Sequence, residues 1–524
     1  MAAALVAAAA VVLVADVSDP EPLPSPIEGP YARLLADATD LGPTRHSRIQ
    51  LTAALRTAAE PVRLNGWARA NGLQVRWREG DPWAIVEGPP GAVAEALGVR
   101  VHDYRADGDA SGETFYAATL QPAVPSSARA EVSGLGRILS HTPLRQSRPP
   151  TPPLDVPDGG LLPAQLLAAY GAGSLTKAGF TGRNMTVVVF SFDGFRQQDL
   201  DDFADWFGLP RFVPEVIGGM PAQVDGEATM DLQMVHAVAP DAKLVLVNAR
   251  PTVTGGGTYE KLARLMESVD RDFPGAVWSL SIGWGCDRLF TAADLAPVRA
   301  ALRSAQRNGT TAFTATGDLA GLECRGGRNW SDPPSPDDVG VDAVASLPEM
   351  TAVGGTALST GADGRWLAEQ AWYDVPLTQG SAGGASVLFE RPAWQVVSPD
   401  AGPAGRRLIP DVAAVADPFT GVKFVFGGQV VTGGGTSQAA PIWAGLAAAI
   451  NEVLTARGLE QLGDLNPLLY SLAQGAPEPA FRDIALGGNA ISPGLVGYDM
   501  VTGIGSPNIA NLVKNVLLTR SQAR

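Results

Sequence analysis

Val431 to Gly445 reads VTGGGTSQAAPIWAG, three glycines leading through two hydroxyl residues into an apolar run. The glycines permit close backbone approach, and Pro441 fits the first turn of the helix that the apolar run predicts. Ser437 therefore stands at a helix start among free backbone N–H groups, which favour negative charge on its hydroxyl or on a nearby oxyanion. That is how a nucleophilic serine is usually mounted; the competing reading is a serine that only caps the helix.

A serine nucleophile needs a base, and in the familiar triad the base is histidine. Of the four histidines, His46, His102 and His141 lie in the first third of the chain, and His236, in MVHAVAP, reads as an ordinary, partly buried helix residue without a His-Gly-Thr segment. The chain offers acids instead. Gly226 to Leu232, GEATMDL, puts Glu227 and Asp231 at i and i+4 on one face of a helix whose other residues are largely apolar. Two acids so placed repel, which suits either a solvated surface or a site. Close carboxylates share protons and titrate as a pair, giving one ionised base and one protonated partner in acid. A third acid, Asp318, follows the apolar run of TAFTATGDLAG, Thr311 to Gly321. The carboxyl end of a parallel strand is where α/β enzymes place reacting groups, and a protonated Asp318 would donate to an oxyanion beside the Ser437 N–H. Its other reading is an aspartate turn.

The elements that must hold these residues follow from periodicity. Strand-like runs at Thr186 to Phe190, Lys243 to Val247, Ala276 to Ile282 and Thr311 to Ala315 are apolar on both faces and alternate with helical segments, among them 225–238, 259–270, 297–308 and 438–454. That pattern predicts a parallel sheet covered on both sides. From about Pro20 to Leu139 the order is a strand at 48–51, a helix at 61–71, strands at 74–79 and 83–87, a helix at 90–97 and a strand at 99–104, the β-α-β-β-α-β order of a split-βαβ, ferredoxin-like α+β domain. Between the two regions, His141 to Gly160, HTPLRQSRPPTPPLDVPDGG, reads as an extended, exposed linker and a natural cleavage site.

Together these segments resemble the sedolisin family, the serine-carboxyl peptidases, over most of the chain. GEATMD matches the family's Glu-x-x-x-Asp motif, Gly317-Asp318 its oxyanion motif and GGGTSQAAP its nucleophile motif; LPAQLLAAY at Leu162 to Tyr170 is similar to the start of the mature domain, and MTAVGGT at Met350 to Thr356 is also similar. The resemblance implies a subtilisin-like α/β catalytic domain over 161–524, an activation prodomain over 20–140 and a processed linker over 141–160. It implies that Ser437 is the nucleophile, Glu227 the general base, Asp231 its orienting partner and Asp318 the oxyanion donor of an endopeptidase acting on protein or peptide substrates, with its own propeptide as an intramolecular inhibitor. FRDIALGGN and LVGYDMVTGIGSPN are similar to the family's calcium loop. Carried across, one structural Ca2+ would be held by Asp483, Asp499 and the carbonyls of Ile484, Leu495 and Gly497, with water completing an oxygen shell. SFDGFRQQDL, Ser191 to Leu200, departs from the family by carrying Asp193 where a more glycine-rich run is usual, and it lacks an obvious glutamate.

Composition narrows the setting. A formal net charge of −15 excludes a phosphate-tracking nucleic-acid surface. With 45% hydrophobic and 18% charged residues, the chain can bury a large core and is expected to form two or three domains. Met1 to Val14, MAAALVAAAAVVLV, has the length of a signal-peptide apolar region, although no basic residue precedes it; a signal over 1–19 and an extracellular, soluble monomer are the expectation. Cys286 and Cys324 are the only cysteines, which leaves a single disulfide open. Two rivals remain: a subtilisin-type protease using histidine, and a catalytically inactive extracellular binding relative.

Overall fold

The computed structural model describes residues 21–106, 114–143, 145–146, 159–325, 334–374 and 379–522. The signal-like segment 1–19 and most of the linker lie outside the described residues.

After a two-residue strand at Ser25–Pro26, the N-terminal region contains α1 (Pro30–Ala36), β1 (Ala38–Pro43), β2 (Ile49–Leu55), α2 (Val62–Ala70), β3 (Gln74–Arg76), β4 (Trp83–Gly88), α3 (Pro90–Leu97), β5 (Val101–Ala106), β6 (Thr114–Ala118) and β7 (Val132–Leu135). An antiparallel sheet runs β3-β4-β2-β7, and a second runs β1-β5-β6. The run at Val99 to Tyr104, expected to close the split-βαβ sheet, does not do so. It becomes β5, paired on both edges by β1 and β6, and β7 takes the free edge beside β2. Ile49, Leu51, Ala53, Leu64, Val86 and Val93 fill a core of this region's own.

The remainder is built on an eight-stranded sheet. Its members are β8 (Thr186–Ser191), β9 (Glu215–Ile217), β10 (Lys243–Asn248), β11 (Val277–Leu280), β12 (Thr311–Ala315), β13 (Thr351–Thr360), β14 (Trp366–Ala371) and β15 (Val412–Val415). The order is β9-β10-β8-β11-β12-β13-β14, with β15 also paired to β13; every pairing is parallel except β13 with β14. Side chains alternate between two cores, as a doubly covered sheet requires. Val187, Val189, Leu244 and Leu246 pack into one core with α4 (Glu227–Val238) and α7 (Thr436–Thr455). Val188, Phe190, Val245 and Val247 face the other, with α5 (Thr258–Asp272) and α6 (Ala296–Arg307). This is a subtilisin-like α/β fold. Among the described residues no helix is long and apolar enough to cross a membrane.

The two regions meet through charge. Arg76 grips Glu260 of α5 in a fork at 2.8 and 2.9 Å, and Arg78 grips Glu267 at 2.8 and 3.0 Å. Arg264 of α5 reaches back to Asp81 at 3.0 Å while its guanidinium lies over the Trp83 ring. Bidentate arginine pairs of this kind fix orientation as well as contributing energy.

Helices α4 and α7 touch at Gly445, where an added Cβ would lie 2.8 Å from Val238 Cβ and 3.2 Å from the Val235 carbonyl oxygen. Gly445→Ala is therefore expected to push the helices apart and to destabilise the protein by about 1–3 kcal/mol, as overpacking does. Urea denaturation reads this directly; an unchanged midpoint would mean that the helices have room to spare.

Candidate active site

The site lies at the carboxyl ends of the central strands. Helix α4 begins at Gly226, whose φ of 109° a side chain would resist, so that Glu227 is its first residue. Helix α7 begins just after Gly435 (φ 83°) and places Ser437 in its first turn. Pro441 is not in that first turn, as the sequence suggested, because the helix starts at Thr436 and Pro441 lies inside it. The displacement has a consequence. Proline carries no N–H to bond the carbonyl four residues back, so the Ser437 carbonyl is left free for a partner outside the helix. Ser281, just beyond β11, supplies one: its Oγ lies 3.1 Å from the Ser437 carbonyl oxygen and 2.9 Å from Asp231 Oδ1. In return, Ser437 Oγ donates to the Ser281 carbonyl at 3.3 Å.

Glu227 and Asp231 are fully buried, at 0% exposure, and Ser437 is 2% exposed. Among the described residues, neither Glu227 oxygen completes a hydrogen bond, and Asp231 Oδ2 has no partner. Burial pushes Glu227 well above the usual carboxyl range; Asp231 pushes it further, and the nearby Ser437 hydroxyl draws it partly back. Asp231 is also held well above its usual range by burial, against the hydrogen bond from Ser281. A protonated Asp231 can donate to Ser281 Oγ, which can then donate to the Ser437 carbonyl, a relay that leaves every proton placed.

Asp318 follows β12 on the adjacent strand end and is half-buried. Its Oδ1 accepts from the Thr436 N–H at 2.8 Å and from Thr436 Oγ1 at 2.9 Å. A Cβ on Gly435 would approach Asp318 Oδ2 to 2.8 Å, so the glycine before the nucleophile turn is also what admits this carboxyl. The four acids and hydroxyls singled out in the sequence thus converge on one place. His236 does not join them: its Nε2 donates to the Pro210 carbonyl at 2.7 Å, its ring stacks on Phe212, and burial lowers its pKa to about 4.

Two contributors were not singled out as site residues. Asp193, at the end of β8, is buried and accepts the N–H groups of Asp225 (2.8 Å) and Gly226 (3.0 Å), fixing the entry to α4. Burial raises its pKa too, and its charge acts on Glu227 and Asp231. In the sequence its one mark is a departure from the family pattern. Ser281 could have been found by asking which hydroxyl ends the strand beside β12.

The chain that leaves the N-terminal region passes the site. Residues Arg145 and Gln146 pair antiparallel with Gly283 and Ile282, immediately after Ser281.

The loop aspartates lie apart from this cluster. Asp499 is fully buried; its Oδ1 accepts from Val501 and Thr502 N–H, both at 2.8 Å, and its Oδ2 from Leu495 N–H at 3.1 Å. Asp483 is exposed and accepts from Gly497 N–H at 3.0 Å. Both carboxylates therefore bracket the 495–497 loop, and the Ile484 carbonyl would stand 3.2 Å from a Cβ on Gly494. Neither aspartate forms an ion pair among the described residues, and burial raises the Asp499 pKa. An all-oxygen, anionic set of this kind fits a hard divalent cation.

The profile of the subtilase family matches residues 217–462. Kumamolisin of Bacillus sp. (strain MN-32) is 29% identical over 91% of this chain and 88% of its own. Sedolisin of Pseudomonas sp. (strain 101) is 29% identical over 67% of this chain and 60% of its own, and human tripeptidyl-peptidase 1 is 28% identical over 74% and 70%. Among solved structures, Pseudomonas sedolisin, a serine-carboxyl proteinase complexed with two molecules of pseudo-iodotyrostatin, superposes with a TM-score of 0.58 at 27% identity, covering 69% of this chain and 98% of its own.

The raised carboxyls predict a pH dependence of stability. A folded state that keeps protons released by the unfolded chain is stable below the ordinary carboxyl pKa and loses that contribution as pH rises through the raised folded values. In a Ser437→Ala background, which prevents self-cleavage, Glu227→Gln is expected to make the thermal midpoint fall less steeply as pH rises above the ordinary carboxyl range. Equal slopes with and without the substitution would contradict the buried, proton-sharing pair.

Proposed function

The chain belongs to the sedolisin family of serine-type peptidases, and we propose that it is an exported, acid-active endopeptidase made as a zymogen. The observation that carries this reading is a serine at a helix start whose buried ionisable neighbours among the described residues are carboxyls, with the one histidine of the catalytic region engaged elsewhere.

On this reading, Ser437 Oγ attacks the scissile carbonyl while ionised Glu227 takes its proton, and Glu227 returns that proton to the leaving amine. Asp231, itself protonated, positions Glu227 and keeps a second negative charge out of the cavity. The Ser437 N–H and a protonated Asp318 stabilise the tetrahedral oxyanion. We place the working window in acid, where carboxyl groups that share protons can supply both a base and donors. The N-terminal region, residues 20–140, acts as the intramolecular inhibitor, with the pairing of 145–146 beside Ser281 supporting a linker held near the site until it is cut. Arg76 and Arg78 on that region grip Glu260 and Glu267 and hold it against the catalytic region. One Ca2+, held by Asp483, Asp499 and the carbonyls of Ile484, Leu495 and Gly497, would pin the C-terminal loop.

Ser437→Ala is expected to abolish peptide hydrolysis and to leave the precursor uncleaved in acid; substantial turnover would rule out the assignment. Wild-type activity should peak in acid, and Asp318→Asn should lower the rate by about 10²–10³-fold while making what survives less sensitive to rising pH. An optimum near pH 8, or an Asp318→Asn enzyme with unaltered rate and profile, would defeat the carboxyl mechanism.

Calcium is tested separately. Chelation, or Asp499→Ala, is expected to lower the thermal midpoint, because a ligand bound only by the folded state stabilises it by mass action. An unchanged melting curve after verified metal removal would count against the site.

A further inference from the structure

Cys286 follows the Ile282–Gly283 edge, Cys324 follows Asp318, and a disulfide joins them. The bond ties the segment carrying Ser281 to the segment carrying Asp318. Cys286 is 3% exposed whereas Cys324 is half-buried, so an attacking thiolate meets Cys324 first.

Beside Cys286 stands Asp287, fully buried at 0% exposure. Its Oδ2 accepts from the Val387 N–H at 2.9 Å, but its Oδ1 has no hydrogen-bond partner among the described residues. Both sulfurs and an Asp287 oxygen lie within 4.8 Å of one another. A Cβ on Gly340 would stand 3.1 Å from Cys286 Sγ and 3.6 Å from Asp287 Oδ1, and it would strike Cys324 Sγ. The unpaired oxygen and both sulfurs therefore face one small space. Burial raises the Asp287 pKa to about 7, against the Val387 hydrogen bond and the weaker pull of the nearby Val341 N–H and Ser386 hydroxyl, neither of which completes a hydrogen bond to Oδ1, and Asp342 adds to the rise. The other charged groups nearby are engaged away from Oδ1. Asp342 accepts from Trp284, Val344 and Ala345 N–H; Arg288 turns to Asp337 and the Pro336 carbonyl; Glu323 accepts from Leu319 N–H; Arg33 donates to the Cys324 carbonyl. Arg325, next to Cys324, is buried and also engaged.

We propose that Cys286–Cys324 is a thiol-exchange site, opened at Cys324 by a dithiol with Asp287 handing its Oδ1 proton to the departing Cys286 sulfur, and that opening it turns the peptidase down. The attacking thiolate bonds to Cys324 Sγ as the disulfide breaks, and Cys286 leaves with the electron pair and takes the Asp287 proton. The reagent's second thiol, ionised to solvent, then displaces Cys324 and closes the reagent's own disulfide. Cys324 and Asp287 are reprotonated by water. In sum, two electrons and two protons pass from the dithiol to the protein. Cys286 Sγ accepts the Arg288 N–H at 3.3 Å but has no cation against it among the described residues, so a neighbouring acid that protonates it as it leaves makes this bond more labile.

The probe is dithiothreitol acting on the full-length protein, with thiol appearance followed by quench alkylation and mass spectrometry, each rate being divided by the reagent's thiolate fraction. The wild-type normalised rate is expected to fall about tenfold as pH rises through the Asp287 titration, while Asp287→Asn is slow and flat throughout. A flat wild-type profile would overturn proton donation. An Asn variant as fast as the wild type at pH 6 would do the same, because Asp287 would then act only by repulsion. Should that variant fail to fold, the wild-type profile alone decides. Hydrolysis of a peptide is then compared before reduction, after reduction with the thiols blocked, and after reoxidation. A loss of about tenfold on reduction, with recovery on reoxidation, supports the switch; unchanged activity overturns it whatever the exchange rates show.

Discussion

A carboxyl group taken out of water without a cation beside it is driven to hold or share a proton, except as far as backbone N–H groups satisfy its charge. Glu227, Asp231 and Asp193 are all in that position, and no lysine or arginine pairs with them among the described residues. Like charges at i and i+4 on an exposed helix cost only a few tenths of a kcal/mol. Buried together on α4, the same pair repels far more strongly, and Asp231 drives the Glu227 pKa up further on top of burial. The burial of α4, not the Glu-x-x-x-Asp spacing, is thus what converts two ordinary acids into a proton-sharing pair.

Much of the architecture serves that burial. The doubly covered sheet supplies two cores, and α4 and α7 are buried on nearly every side against one of them. Gly445 lets the two helices touch, Gly226 and Gly435 turn the chain sharply before Glu227 and Thr436, and Pro441 leaves the Ser437 carbonyl for Ser281. Each is a residue without a side-chain reaction of its own. Together they bring a base carried by one helix to a hydroxyl carried by another.

The parallel sheet was legible because its strands are apolar on both faces and their neighbours repeat at helical spacing, and the observed strands begin and end within a few residues of those runs. Glu227, Asp231, Asp318 and Ser437 stood out because acids and hydroxyls beside glycines are conspicuous in an apolar setting. What escaped was whatever depends on partners distant in sequence. Nothing local distinguishes 99–104 from 132–135 as the strand that borders β2, because that choice is made by β1 and β6, which take both edges of β5 and leave the edge of β2 to β7. Pro441 misplaced the helix start, since proline fits a first turn and is tolerated farther in only when another group satisfies the carbonyl it abandons. Ser281 and Asp193 are ordinary residues until the strand ends assemble.

The central claim is that the cavity holds protonated carboxyl groups at pH values where exposed acids are ionised. Infrared difference titration reads this directly, because a protonated carboxyl absorbs apart from a carboxylate. The wild-type protein should retain a protonated-carboxyl band near neutrality, and Glu227→Gln and Asp231→Asn should each diminish it. A spectrum in which every carboxyl is ionised by about pH 6, well above an ordinary glutamate, would contradict the account.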